Sequence, residues 1–494
     1  MTSHGISGAL PGNSAETPAT QQPAPGNAAS DLVPLVVHSA YSLLWGPVAL
    51  ERLTVALALA GYRAAALTDR NGMYGLPSFL ELAAMAGLRP ITGCEMAGPW
   101  GRAVLIARSR RGAAELFRLL SERAAILNGA GVGAAYSPHA VHDAEHRRAM
   151  ASAEQLVVRR LERFAQEAED DLSILSDTPS LLARLPARSH VYGLLSSAWP
   201  ERWRAVQRSG HRLVASPEVS MLEPSDRSVQ RLLMAIAARC SIAELPDGIL
   251  EPLRSVLLPA REAEALFAEM PDALQANRDI ADSALAEPFE GLVFPAWQDP
   301  CGASSAEVLR RLAMQGAVRR YGSLTPEVKA RLEYELSIVE EKGFCDYFLV
   351  VRDIVSRAGR ICGRGSAAAS IISYCLGITD VDPIAHHLYF ERFLNPGRKD
   401  PPDIDVDFAW DERDGILDMV VRAYGEDRCA RVANHNCFQF RGALRDTARA
   451  FGMPESETSA VEKRLWRDRS RTLETLDPEW RDILGLALRI TGLP

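Results

Sequence analysis

Asp403, Asp405 and Asp407 alternate with Ile404, Val406 and Phe408 in the run PPDIDVDF at positions 401–408. On a strand, a period of two sets the three carboxylates on one face and the apolar side chains on the other. The Cα atoms of Asp405 and Asp407 then lie about 7 Å apart. Their carboxylates can converge on a pair of divalent cations roughly 3.5–4 Å apart, the spacing used for in-line phosphoryl displacement. A strand with a merely solvated acidic face is the alternative for so short a motif.

Upstream stands CGRGSAAASIISYCLG, residues 362–377. Gly363 and Gly365 free the backbone, and Ser366 is the expected cap of a helix running from Ala367 to Leu376. A helix start of this kind points unpaired N–H groups and a positive dipole end at a phosphate. The run lacks the G-x-x-x-x-G-K-[ST] pattern and gives only G-x-G-x-x-A against the dinucleotide fingerprint, so an ordinary capped helix remains open. Arg392, Arg398 and Lys399 precede the acidic run. They balance its charge, and they are also what a triphosphate substrate requires.

Five segments in series resemble the N-terminal part of bacterial C-family DNA polymerases, the DNA polymerase III alpha subunit. They are RLEYELSIVEEKGFCDYFLVVRDIV (331–355), GRGSAAASIISYCLGITDVDP (363–383), FERFLNPGR (390–398), PPDIDVDF, and YGEDRCARVANHNCFQFRGALRDTARAFG (424–452). The PPDID form, and the Arg-Asp helix after it, are most similar to the error-prone members. The resemblance implies a DNA-directed DNA polymerase of replication and translesion repair. It implies a nucleotidyltransferase palm in which Asp405 and Asp407 hold two Mg2+ ions. Gly365 and Ser366 would cradle the incoming deoxynucleoside triphosphate, with Arg364, Arg392 and Arg398 as phosphate contacts and a DNA primer–template as partner. Asp403 matches a family position outside the catalytic pair and is read as structural. The family's third catalytic aspartate and its fingers fall beyond residue 494. The expectation is therefore an N-terminal portion that needs a second polypeptide for activity. A catalytically inactive remnant acting as a DNA- or partner-binding scaffold is the alternative.

The elements before these motifs alternate. Strands are expected at 32–38, 64–69, 89–95 and 102–109, with helices at 48–62 and 76–87, a pattern that argues a parallel sheet or barrel. This stretch resembles the polymerase-and-histidinol-phosphatase (PHP) domain, a (β/α) barrel whose intact members gather metals for phosphoester hydrolysis, including 3′–5′ exonuclease action. The chain departs from that pattern. His38 remains, but Val36 stands where a second histidine belongs. Asp69 is followed by Arg70, and the late Asp-x-His reads Glu218-Val219-Ser220. Valine and serine do not replace imidazole, and Arg70 puts a fixed positive charge into a cation site. A retained barrel without hydrolysis is expected, with His38, Asp69, Glu95 and Glu218 as remnants of its metal site.

With 494 residues, 47% hydrophobic, the chain can bury cores for about three domains. The expected class is α/β and α+β, multidomain. A disordered leader (1–31), rich in Pro, Ala, Gly, Ser and Thr, precedes the PHP-type barrel (32–285). A Pro-Gly-Ser cluster near 289–305 separates the barrel from a nucleotidyltransferase-like palm (286–430), and a helical thumb segment (431–494) follows. The formal net charge of −8 is unusual for a nucleic-acid binder. From Arg428 to Arg471, however, ten Lys and Arg face five Asp and Glu, the composition expected of a DNA-gripping thumb. Eight cysteines without a C-x-x-C pair indicate neither a zinc ribbon nor a disulfide framework, which suits a cytoplasmic location. No apolar stretch approaches the ~18 residues of a membrane span. His139, His142 and His146 fall at helical spacings and are read as an exposed helix face. His435 and Cys437 are expected simply to pack.

Overall fold

The computed structural model describes residues 30–129, 144–167, 171–245, 252–291, 293–299, 301–395, 397, 402–432, 434–467 and 475–494. The leader to residue 29, His139, His142, Arg398, Lys399, Arg469 and Arg471 lie outside these residues, as does the side chain of His146. The chain divides into two compact units, Met1–Phe289 with His435–Pro494, and Glu290–Asn434.

In the first unit, strands β1 (Val36–Val37), β2 (Ala64–Leu67), β3 (Arg89–Gly98), β4 (Gly101–Ala107), β5 (Leu172–Ser176), β6 (Val191–Ser196), β7 (Arg212–Ser216) and β8 (Glu218–Val219) alternate with helices. Strands β2 to β7 form one curled sheet in chain order. Strand β1 pairs with β8, and Thr68 N–H donates to the Val37 carbonyl on the β2 side, so the β1–β8 pair bridges the two edges. β4 runs antiparallel to both its neighbours. Only Pro99 and Trp100 join it to β3, and two residues allow a hairpin but not a crossover. Gly101 takes φ +110° there, and a Cβ would collide with Thr178.

Period two sorts the strand side chains. Ala65, Leu67, Ala103 and Leu105 pack outward beneath helices such as Leu50–Leu59 and Leu76–Ala86. Val36, Ala64, Ala66, Ile91, Val104, Ile106, Leu175, Leu194 and Val214 fill the interior, with Ala276 and Ile280 of helix Pro271–Ser283. Buried Asn277 on that helix receives the Val33 N–H and donates to the carbonyls of Val33 and Ala215. Continuing each interior row by two or four positions reaches His38, Glu95, Arg102, Asp177, Ser196 and Glu218. The interior is thus apolar at one end and charged at the other.

The C-terminal helices Phe440–Ala450, Glu455–Arg467 and Pro478–Ile490 belong to this same unit. Leu444, Ala448, Leu484 and Ala487 share a core with Val229, Leu232 and Leu233 of helix Asp226–Ala238, and Arg489 pairs with buried Asp226. Arg441 and Arg445 both turn to buried Glu462, so part of this segment's positive charge is neutralised within it. His435 lies edge-on to Tyr41 and Tyr74.

The second unit packs helices Ser305–Tyr321, Pro326–Glu341, Cys345–Val355 and Ile371–Leu376 around Phe348, Phe390 and Phe393. Gly316 lets two of them touch, since a Cβ there would lie 2.0 Å from the Cys375 carbonyl. A two-stranded sheet, β9 (Ile361–Arg364) and β10 (Asp405–Phe408), completes the unit before helix Arg413–Tyr424.

Two candidate carboxylate sites

The second half of the acidic run, Asp405–Phe408, forms a strand, and Asp403 precedes it. In β10, Val406 and Phe408 pack on the core with Ile404 just before them, while Asp405 and Asp407 are exposed on the other face. Asp403 is also exposed, beside Ile404, whose N–H donates to the Tyr347 hydroxyl. Antiparallel register sets Asp405 opposite Arg364 and Asp407 opposite Cys362. The Arg364 guanidinium spans both acids: Nε lies 3.0 and 2.9 Å from the Asp407 oxygens, and Nη1 lies 3.5 Å from Asp405 Oδ2. All three side chains are open to solvent, where ion pairs contribute little. A cation is therefore already held between these carboxylates, and loosely.

Gly365 follows at φ +68°, and a Cβ on it would stand 2.8 Å from Asp405 Oδ2. Only glycine suits both the left-handed backbone and the close approach. Residues Gly365–Ala369 form a 3₁₀ turn, and the helix begins only at Ile371. Its cap is Ser370, which accepts from the Ser373 N–H, so the expectation that Ser366 caps a helix from Ala367 is corrected. Gly363 packs closely at the start of this loop: a Cβ there would lie 2.1 Å from the Ile378 carbonyl oxygen, and its own carbonyl accepts from Thr379 Oγ1.

Beneath the loop lies a polar network that the motifs did not announce. Buried Glu335 accepts from Arg331 Nε at 2.7 Å and from Ser370 Oγ at 2.8 Å. Arg331 also donates to the carbonyls of Ala369 and Leu388, tying the end of the loop and the segment before Phe390 to one helix. Burial pushes the Glu335 carboxyl up, against its hydrogen bonds to Arg331 and Ser370. A signal was present: Glu335 holds a core position between Leu332 and Val339, where a lone acid needs a buried partner. Arg392 is exposed at the end of the turn Phe390–Arg392, outside the Arg364 cluster.

The second site is the charged end of the barrel interior. His38, Glu95 and Glu218 all meet there, but around an arginine. Arg102 donates through Nε and Nη2 to Asp177 at 3.0 and 2.8 Å, and through Nη1 and Nη2 to Glu218 at 2.7 Å each. Its Nη1 also reaches Glu95 at 3.1 Å. His38 Nε2 lies 3.3 Å and Arg70 Nε 3.4 Å from Glu95. Burial alone would lift the Glu95 carboxyl, but the charges of His38 and Arg102 outweigh it and hold the group well below its usual range. Asp69 turns elsewhere, accepting from Ser39 N–H, Ser39 Oγ and Ser42 Oγ, and burial pushes its carboxyl up despite those bonds. Val36 packs in the apolar interior, and the Ser220 hydroxyl pairs with Ser255. Among the described residues, no group of three His, Cys, Asp or Glu is arranged to hold a metal ion. Arg102 within one apolar strand and Asp177 just past another belong to no spaced motif, so the sequence did not single them out. A single Arg in GRAVLIA was the available sign.

Two family models match the chain. Residues 34–183 match the PHP domain, and residues 307–487 match the bacterial DNA polymerase III alpha NTPase domain. The DNA polymerase III subunit alpha of Bacillus subtilis is 31% identical over 94% of this chain and 43% of its own length. The error-prone DNA polymerase of Symbiobacterium thermophilum is 33% identical over 94% of this chain and 44% of its own. That of Mycobacterium bovis is 33% identical over 93% and 44%. The chain thus spans less than half the length of these relatives. Among the described residues, no helix is long and apolar enough to cross a membrane.

Proposed function

We propose that the chain is of the bacterial DNA polymerase III alpha family and that its Glu290–Asn434 unit is the palm of an error-prone DNA-directed DNA polymerase. The observation that carries this reading is the pair Asp405 and Asp407, exposed on one face of β10, with Asp405 opposite Arg364 in the register and Gly365 close against the Asp405 carboxylate. Family membership carries a divalent-metal dependence in general, and the donor set suits Mg2+. That ion takes one or two carboxylates and completes its shell with water and substrate phosphates. Asp405 and Asp407 would hold it, the Arg364 guanidinium being exchangeable at a solvent-exposed site. Bound there, the ions supply activation of the primer 3′-hydroxyl and offset charge on the departing pyrophosphate.

The chain's own residues do the positioning. Gly365 leaves the Asp405 carboxylate uncovered, and the Gly365–Ser366 turn offers backbone N–H groups to a triphosphate. Arg364, once displaced from the acids, is a phosphate contact, with Arg392 and Arg398 as further ones. The substrates are deoxynucleoside triphosphates and a primer–template, and positioning with electrostatics supplies most of the rate in such chemistry. The barrel is not assigned hydrolysis, because its carboxylates are engaged by Arg102.

The test is Mg2+-dependent primer extension by this chain, alone and supplemented with the remaining portion of a relative. Incorporation is expected in the supplemented arm at least, and its loss in Asp407→Asn without change in the melting curve. DNA binding without incorporation in either arm would replace this reading with a scaffold that binds DNA and does no chemistry.

A further inference from the structure

Intact members of the barrel family organise this end of the interior around metal ions, and the residues here do not fit that arrangement. Arg102, Arg70 and Arg202 bring three positive charges against Glu95, Asp177 and Glu218, with Arg202 Nη1 3.0 Å from Asp177. No negative charge is left over among these six for a divalent ion. The fork of Arg102 is almost fully engaged, with five contacts to carboxylates from three separate strands or strand ends. Its side chain is 9% exposed, and those of Glu95, Asp177 and Glu218 are 2% or less. Burial works against its charge, yet Glu218, Asp177 and Glu95 hold the guanidinium protonated.

We propose that the Arg102 guanidinium is the barrel's resident cation, a tethered charge that replaces the divalent ion and gathers Glu95, Asp177 and Glu218 in its place. Its planar donors satisfy two carboxylates in bidentate or near-bidentate fashion, which a lysine ammonium cannot do. The substitutions at Val36, Arg70 and Ser220 follow: with the cation built into β4, imidazole ligands have nothing to hold. The barrel then keeps its fold without metal, and the guanidinium gives no ionisable bound water with which to hydrolyse a phosphoester. A cavity of about 380 Å3 opens onto Arg102, Glu95, Arg70 and Arg202, so small solutes reach the cluster from solvent.

The experiment is a thermal melt of the whole chain carrying Asp405→Asn and Asp407→Asn, which removes the other exposed carboxylate pair. In this parent, EDTA and Mn2+ are expected to leave the barrel transition unmoved. Arg102→Ala uncovers three buried carboxylates and should lower that transition by about 10 °C. Guanidinium ion at low, non-denaturing concentration, or Mn2+, should restore part of the loss by occupying the vacated position. Arg102→Lys should fall between parent and Arg102→Ala, and should gain less from guanidinium. A parent that EDTA destabilises, or that Mn2+ stabilises, would overturn the proposal, because the barrel would then use a metal. So would an Arg102→Ala chain as stable as the parent. If Arg102→Ala does not accumulate folded, the EDTA arm and Arg102→Lys decide: a lysine variant equal to the parent would show that the fork is not needed.

Discussion

At the scale of single residues, Arg364 is the informative one. It is placed by sheet register directly opposite Asp405, and its guanidinium lies across the two acids that a divalent ion would use. The three side chains are solvent-exposed, so the pairing is easily exchanged. Arg364→Gln is therefore expected to tighten Mn2+ binding several-fold, read as free Mn2+ by electron paramagnetic resonance, while weakening triphosphate binding. Looser Mn2+ binding in the variant would mean that Arg364 supports the site and does not compete for it. The facing of Asp405 and Asp407 was legible in the sequence, because period two and a buried apolar face leave one orientation. The partner of those acids was not. Register between strands forty positions apart in the chain depends on the loops between them, and no local pattern encodes it. Arg364 accordingly read as a phosphate contact alone.

At the scale of elements, the loop after β9 shows where periodicity loses resolution. Ala367 to Leu376 reads as one helix, yet the backbone makes a 3₁₀ turn over Gly365–Ala369 and starts the helix after Ser370. Both Ser366 and Ser370 are good caps by type, and a buried partner chooses between them. Ser370 lies where its hydroxyl can donate to Glu335 while accepting from Ser373 N–H. Removing that hydroxyl costs a cap and strips a buried carboxylate of one donor. Ser370→Ala should destabilise the unit by about 1–3 kcal/mol. Ser366→Ala should cost less than about 0.5 kcal/mol. Denaturant titration of both variants distinguishes the two serines, and equal losses would remove the special place given to Ser370. The first four strands of the barrel and the two helices among them were legible to within a few residues, since each is an apolar run with its own period. The antiparallel course of β4 depends on the two-residue link at Pro99-Trp100, which is short enough to be seen once looked for.

At the scale of the whole molecule, the barrel's charged interior gives folding a pH dependence whose sign can be worked out. Glu95 is held well below the usual carboxylate range: burial opposes its charge, and His38 with Arg102 overcomes that. A group lowered on folding contributes stability that is complete above its unfolded value, about 4.3 for glutamate, and lost as pH falls toward the folded one. Asp69 has the opposite sign. Burial pushes it up, so its contribution is complete below about 3.9 and is lost as pH rises through its raised value. The two are separable by substitution. Glu95→Gln should melt below the parent at neutral pH, and the gap should narrow as pH falls under about 4, where the parent's Glu95 begins to lose its advantage. The check is a series of thermal melts from neutral pH down to the onset of acid unfolding, followed by circular dichroism. A gap that stays constant over that range would show that Glu95 acts through packing alone. A gap that widens in acid would mean that its charge is a burden in the folded barrel, and that the three-carboxylate cluster is held by something other than Arg102.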